Sequence, residues 1–174
     1  MPDNLPMTRD RIIAALTALG DRLSAQGVHA EIFIVGGAAI ALAYSDRRVT
    51  HDIDAVFEPK AVVYDAAAQL GDELGLPDGW LNDAAKGFLL GPDGQATPIR
   101  DIPGIEVSVG SPQYLLAMKL LSMRVTQDDE DIVMLLNVCG ITSTQQAVEL
   151  LERMAPHREP LPKTKFWLQQ YFGA

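Results

Sequence analysis

Asp52 and Asp54, one residue apart, are the side chains of this sequence best suited to chemistry. On a strand, residues i and i+2 leave the same face, so the two carboxylates are expected to point one way. Like charges held that close are unfavourable unless a proton or a cation lies between them. Ile53, Val56 and Phe57 mark the segment as a buried strand, and an acid pair among apolar residues is costly without a partner. Carboxylates are hard oxygen ligands suited to Mg²⁺ or Mn²⁺, and Mg²⁺ usually also keeps waters and phosphate oxygens. One or two such ions would bridge a triphosphate and align an in-line attack.

Upstream lies Gly36-Gly37, directly after the apolar run Ile32–Val35. A helix beginning there would aim free N–H groups and its positive dipole end at an anion. Glycine also lets backbone approach a phosphate without an intervening side chain, although close packing of strand on helix explains the pair equally well. Arg48 is suited to gripping phosphate oxygens in bidentate fashion. Thr50 is placed to orient Asp52 through its hydroxyl. A solvated turn is the competing reading for both, and His51, facing away from Asp52, reads as structural.

Further along, Lys119 sits among Leu115, Leu116, Met118, Leu120 and Leu121. An ammonium there either snorkels to water or neutralises something specific, such as a nucleotide phosphate. Asp128 and Asp131, three apart at a helix start, read first as an N-cap and its first-turn acid. Glu106 and Asp83 are candidates for a third carboxylate, and Cys139, inside an apolar segment, reads as core.

The elements that must hold these groups follow from periodicity and punctuation. Ile12, Leu16, Leu19 and Leu23 place a helix over residues 9–26, with Thr8 as its N-cap. Ile32–Val35 reads as a buried strand, Ala38–Tyr44 as a helix, and Asp52–Phe57 as a second strand ended by Pro59. A helix follows over Lys60–Leu76. Trp80–Leu90 is ambiguous, with a brief strand expected at Gly87–Leu90, before a turn at Gly91–Gly94. Ile105, Val107 and Val109 alternate with polar residues, the pattern of a strand with one buried face. Ser111-Pro112 opens a helix running to about Arg124, Asp128 another reaching Cys139, and Ser143 with Gln146 resembles a capping box for a third ending at Met154. Phe166, Trp167, Tyr171 and Phe172 point to a final helix docking by its aromatics. The order is α–β–α–β–α–(β)–β followed by helices: an α/β or α+β mixed sheet flanked by helices, with a helical C-terminal part. The helix between the first two strands points to a parallel pair or a mixed sheet. The expected division is a core over residues 1–110 and a helical region over 111–174 packed on it.

The totals exclude several classes. At 174 residues with 48% apolar and 21% charged residues, the chain has material for a core and too little charge for disorder. The longest apolar stretch, Ile32 to Ala43, is 12 residues, against the roughly 20 of a membrane span. The polar start and single cysteine fit a reducing cytoplasm. A net charge of -9 disfavours broad nucleic-acid binding. Residues 151–174 nevertheless carry four basic side chains (Arg153, Arg158, Lys163, Lys165) against two acidic ones (Glu152, Glu159).

Taken in order, Val35-Gly36-Gly37 and Asp52-Ile53-Asp54 resemble the signature of the nucleotidyltransferase superfamily, the fold shared with polymerase β. Within it the chain is most similar to the minimal AbiEii-like nucleotidyltransferases of bacterial toxin–antitoxin and phage-defence systems. Their Arg-x-Thr-x-Asp-x-Asp element is matched by Arg48, Thr50, Asp52 and Asp54, and their later lysine and acidic element by Lys119 and Asp128–Asp131. Gln127 stands where that element has an arginine. The resemblance spans roughly residues 30–138 and implies Mg²⁺-dependent transfer of a nucleoside monophosphate from an NTP to an RNA end or a protein hydroxyl, with an antitoxin protein as a partner. It implies metal at Asp52 and Asp54, phosphate at Gly36 and Gly37, nucleotide at Lys119, and an acceptor-side acid at Asp131. A non-catalytic nucleotide- or protein-binding module on the same scaffold is the alternative, and a phosphoester hydrolase a third reading.

Overall fold

The computed structural model describes residues 5–99, 102–124 and 126–173. It divides into two compact units, Met1–Gly87 with Ala96–Gly110 and Phe88–Gln95 with Ser111–Ala174.

The first unit is a mixed sheet with helices on one face. Helix α1 (Arg9–Ala25) buries Ile12, Leu16, Leu19 and Leu23, and the Thr8 hydroxyl accepts the Arg11 amide at its start. Strand β1 (Ala30–Val35) leads into α2 (Gly36–Ala43), then β2 (Ile53–Glu58) and α3 (Lys60–Leu74). The sheet order is β3-β2-β1-β5-β4, where β3 is Leu81–Asn82, β4 is Thr97–Ile99 and β5 is Ile105–Val109. β1 runs parallel to β5 but antiparallel to β2, although α2 lies between them in sequence. The physical reason is length. Eight residues of helix span only about 12 Å, and the loop after α2 brings the chain back to the end of the sheet it left. Asp54 therefore pairs with Val35, immediately before the glycines.

Strand alternation sorts the faces. Ile32, Ile34, Ile53, Ala55, Val107 and Val109 are buried, on the side that α1, α2 and α3 pack against. Phe33, Asp54, Val56 and Ser108 alternate with them and are half-buried, while Glu31, Glu58 and Glu106 are exposed. One contact admits no side chain at all. A Cβ on Gly20 would lie 2.1 Å from the Pro103 carbonyl, and one on Gly104 (φ +82) 2.2 Å from the Gly20 carbonyl. α1 thus meets the turn before β5 backbone to backbone.

Two short elements differ from the sequence reading. The strand in the ambiguous segment is at Leu81–Asn82, not at Gly87–Leu90, and a single 3₁₀ turn covers Ala84–Phe88. The indole of Trp80, donating to the Ala67 carbonyl at 2.8 Å, anchors that segment to α3. β4 is an edge strand whose central residue is Pro98, a residue that edges tolerate and central strands do not.

The second unit holds α4 (Pro112–Ser122), α5 (Asp129–Val138), α6 (Thr144–Met154) and α7 (Pro162–Phe172). Phe88–Gln95 belongs to it through polar ties: Asp93 accepts the Ser111 amide at 2.6 Å and its hydroxyl at 3.1 Å. The Tyr114 hydroxyl donates to the Gly91 carbonyl at 2.8 Å. Ser143 caps α6 by accepting the Gln146 amide, but Gln146 reaches back to the Thr142 amide rather than that of Ser143. α7 buries Thr164 and Leu168, and of its aromatics Trp167 and Phe172 are half-buried while Phe166 and Tyr171 are exposed. Among the described residues, no helix is long and apolar enough to cross a membrane.

Candidate active site

Val35 closes β1 and Gly36 opens α2 with φ +66, a left-handed conformation in which other residues are strained. A Cβ on Gly36 would lie 3.3 Å from Asp54 Oδ2. A Cβ on Gly37 would lie 3.2 Å from both Arg48 Nη2 and Thr50 Oγ1. The glycines, Asp54, Arg48 and Thr50 therefore converge on the first turn of α2. No side chain caps that helix, because Val35 occupies the N-cap position. Its first amides lack intrahelical partners and suit an anion.

Asp52 stands one residue before β2 begins, so the strand rule does not set its direction. Asn82 does: its amide donates to Asp52 Oδ2 at 3.0 Å. In the parallel register Asn82 also lies beside Asp54. Thr50 acts on the backbone of Asp52 rather than on its carboxylate, donating to the carbonyl at 3.2 Å. Thr50 is itself held by a two-way bridge to Met7, Met7 N to Thr50 O at 2.7 Å and Thr50 N to Met7 O at 3.1 Å. The Arg48 guanidinium reaches the Val49 carbonyl.

The candidates for a third carboxylate are engaged elsewhere. Asp83 accepts the Tyr64 hydroxyl at 2.6 Å and pairs with Lys60 at 2.6 Å and Lys86 at 3.3 Å. The Lys60 ammonium first, then the Tyr64 hydroxyl, holds its carboxyl well below the usual range. Glu106 is level with Glu31 and Glu58, four residues along the sheet from the Asp54 row, or about 13 Å at the rise of a strand. It is exposed and lies 3.4 Å from His29 Nε2, and the structure does not bring it to Asp52 and Asp54.

Lys119 and Asp131, both in the helical unit, do meet. Lys119 Nζ is 2.7 Å from Asp128 Oδ1 and 2.9 Å from Asp131 Oδ2, with its side chain 11% exposed. Asp128 is thus more than an N-cap. It makes no capping bond of its own, and its second oxygen accepts the Arg124 amide at 2.8 Å. Burial pushes the Asp128 carboxyl up, but Lys119 and the Arg124 amide outweigh it, and the net shift is downward. Lys119 therefore has internal counter-ions, with which a phosphate would compete.

Asn82 is the site residue that the sequence reading passed over. Its signal was present: an amide side chain directly after the apolar pair Trp80-Leu81. Only the pairing of β3 with β2 shows that it sits beside the acids.

A divalent cation fits what is here. Asp54 lies against the first turn of α2, Asp52 precedes it by two residues with its carboxylate held by Asn82, and the turn's amides suit a phosphate. Among the described residues no group of three or more His, Cys, Asp or Glu forms a metal site. An ion would take Asp52 and Asp54 as protein ligands and complete its shell with water and phosphate oxygens.

A family model described as "Nucleotidyltransferase of unknown function (DUF6036)" matches residues 11–155. Among solved structures the chain is similar to an antigenic nucleotidyltransferase-like protein from Paracoccidioides brasiliensis, with 19% identity, 93% of this chain and 95% of that chain covered, and a TM-score of 0.47. No curated protein matches.

Proposed function

The chain belongs to the nucleotidyltransferase family of unknown function, and from that premise we propose that it moves a nucleoside monophosphate from an NTP to an RNA or protein hydroxyl. The observation that carries this is the meeting of Asp54 with the uncapped first turn of α2, 3.3 Å from where a Gly36 side chain would begin. In the reaction, an acceptor oxygen forms a bond to the α-phosphorus and the bond to pyrophosphate breaks, the acceptor proton passing to solvent or a base. Gly36 lets Asp54, and Gly37 lets Arg48 and Thr50, approach the first turn of α2, whose amides, with Arg48, hold the phosphate oxygens. Asn82 fixes Asp52, and Thr50 fixes the backbone that carries it. Asp52 and Asp54 would hold Mg²⁺, which supplies charge neutralisation on the phosphates.

The likeness of Arg48-x-Thr50-x-Asp52-x-Asp54 to AbiEii-like enzymes extends the proposal to a toxin-like role with an antitoxin partner. The test is incubation with each α-labelled NTP, Mg²⁺ and cellular RNA or lysate. The wild type should label an acceptor and Asp54→Ala should not, with folding of the variant checked by circular dichroism. Absence of label with all four NTPs would defeat the reading. A non-catalytic module is favoured by the net charge of -9 and by Gln127, which replaces the arginine of those enzymes. Calorimetry separates it, since a module would bind nucleotide without Mg²⁺ and release no pyrophosphate.

A further inference from the structure

Helix α7 turns Phe166 and Tyr171 outward. Phe166 is 61% and Tyr171 43% exposed, while Thr164 and Leu168 make the buried face. Trp167 and Tyr171, four residues apart, stack with ring centroids 5.2 Å apart and planes 5° from parallel. This stack forms one wall of a groove of about 820 Å³, and α5 forms the other with Val133, Met134 and Val138. Val138 is 50% exposed. The two walls are supported from behind, α5 by α4 and α7 by α6, so the groove lies between helices that are each held by another partner. The only charged residues lining it are Asp129 and Glu130.

We propose that this groove binds a helix of a partner protein, with an apolar face spaced i, i+3, i+4 and a lysine- or arginine-bearing flank. Two supported helices with an apolar trough between them accept a third helix laid into the trough. Trp and Tyr are the residues that most often dominate such interfaces, and Met134 adapts its shape to the incoming side chains. The acidic rim selects a basic flank. The inference is independent of the nucleotidyl-transfer reading.

The test uses fluorescence polarisation of two labelled amphipathic helical peptides with the same leucine face, one flanked by lysines and one by glutamates. The lysine peptide should bind saturably, and the glutamate peptide about tenfold or more weaker. Trp167→Ala and, separately, Tyr171→Ala should each weaken the lysine peptide about tenfold. Phe88→Ala, at an exposed residue outside the groove, should leave it unchanged. No binding, equal binding of both peptides, or binding indifferent to both groove substitutions would overturn the proposal. So would a concentration-dependent dimer abolished by the same substitutions, which would give the groove to a second copy.

Discussion

Gly37 has no room for a side chain without moving the two groups that flank the α2 turn. A Cβ there meets Arg48 Nη2 and Thr50 Oγ1 at 3.2 Å each. Both are ends of side chains that can shift, so Gly37→Ala should fold with little loss of melting temperature and lose transfer activity. Asn82 gives a complementary case. Its amide is the described contact that orients the Asp52 carboxylate, at 3.0 Å. Removing a group that orients a metal ligand typically costs about 10- to 100-fold in metal affinity or activity. Asn82→Ala should therefore weaken Mg²⁺-dependent transfer by that order, read as a higher Mg²⁺ requirement in a titration. At this scale the sequence was informative about the strand that carries Asp54, since Ile53, Val56 and Phe57 mark it. It was silent where a side chain finds its partner across the sheet, as Asn82 does, or across helices, as Asp128 does with Lys119.

Among the elements, α2 decides the geometry of the site. It is too short to carry the chain back along β1, so β2 returns antiparallel and Asp54 arrives opposite Val35. The helix and strand were each legible in the sequence, since one is alanine-rich and the other apolar and bounded by proline. Their relative direction was not, because it depends on where the loop after α2 crosses back. β4 escaped for a related reason: three residues around Pro98 carry too little pattern to read as a strand. The docking of α1 rests on Gly20, whose Cβ would lie 2.1 Å from the Pro103 carbonyl. That obstacle is backbone and cannot swing aside. Gly20→Ala should destabilise by about 1–3 kcal/mol or more, as overpacked sites do, measured by urea denaturation. In the helical unit, Lys119→Ala would leave Asp128 and Asp131 buried without their ammonium. Breaking a buried ionic cluster in this way costs about 3–5 kcal/mol. Lys119→Ala should thus lower stability at neutral pH, and its deficit should shrink in acid as the Asp128 carboxyl takes up a proton.

At the scale of the whole molecule, Asp83 in the first unit and Asp128 in the second both have a lowered carboxyl pKa. A folded-state value below the unfolded one means stability that is complete above the unfolded pKa, about 3.9 for aspartate. It is lost as pH falls through the lowered folded values. These two groups should leave stability flat from pH 5 to 8 and erode it below about pH 4. Asp128→Asn should flatten that acid limb, as seen in urea midpoints measured across pH. The overall architecture, a mixed sheet with helices and a helical C-terminal part, was legible because apolar periodicity and glycine–proline punctuation are strong here. The outward turn of Phe166 and Tyr171 was not. Phe166, Trp167, Tyr171 and Phe172 look alike in sequence whether they face a core or a partner. The central claim is that Asp52 and Asp54, beside the glycine-opened α2, direct attack at the α-phosphorus of an NTP. Its most direct measurement follows the products from a γ-labelled NTP in Mg²⁺, with wild type and Asp54→Asn side by side. The account predicts label in pyrophosphate with the wild type, none without Mg²⁺ and none with Asp54→Asn. Label in inorganic phosphate, or pyrophosphate release that Asp54→Asn leaves intact, would contradict it.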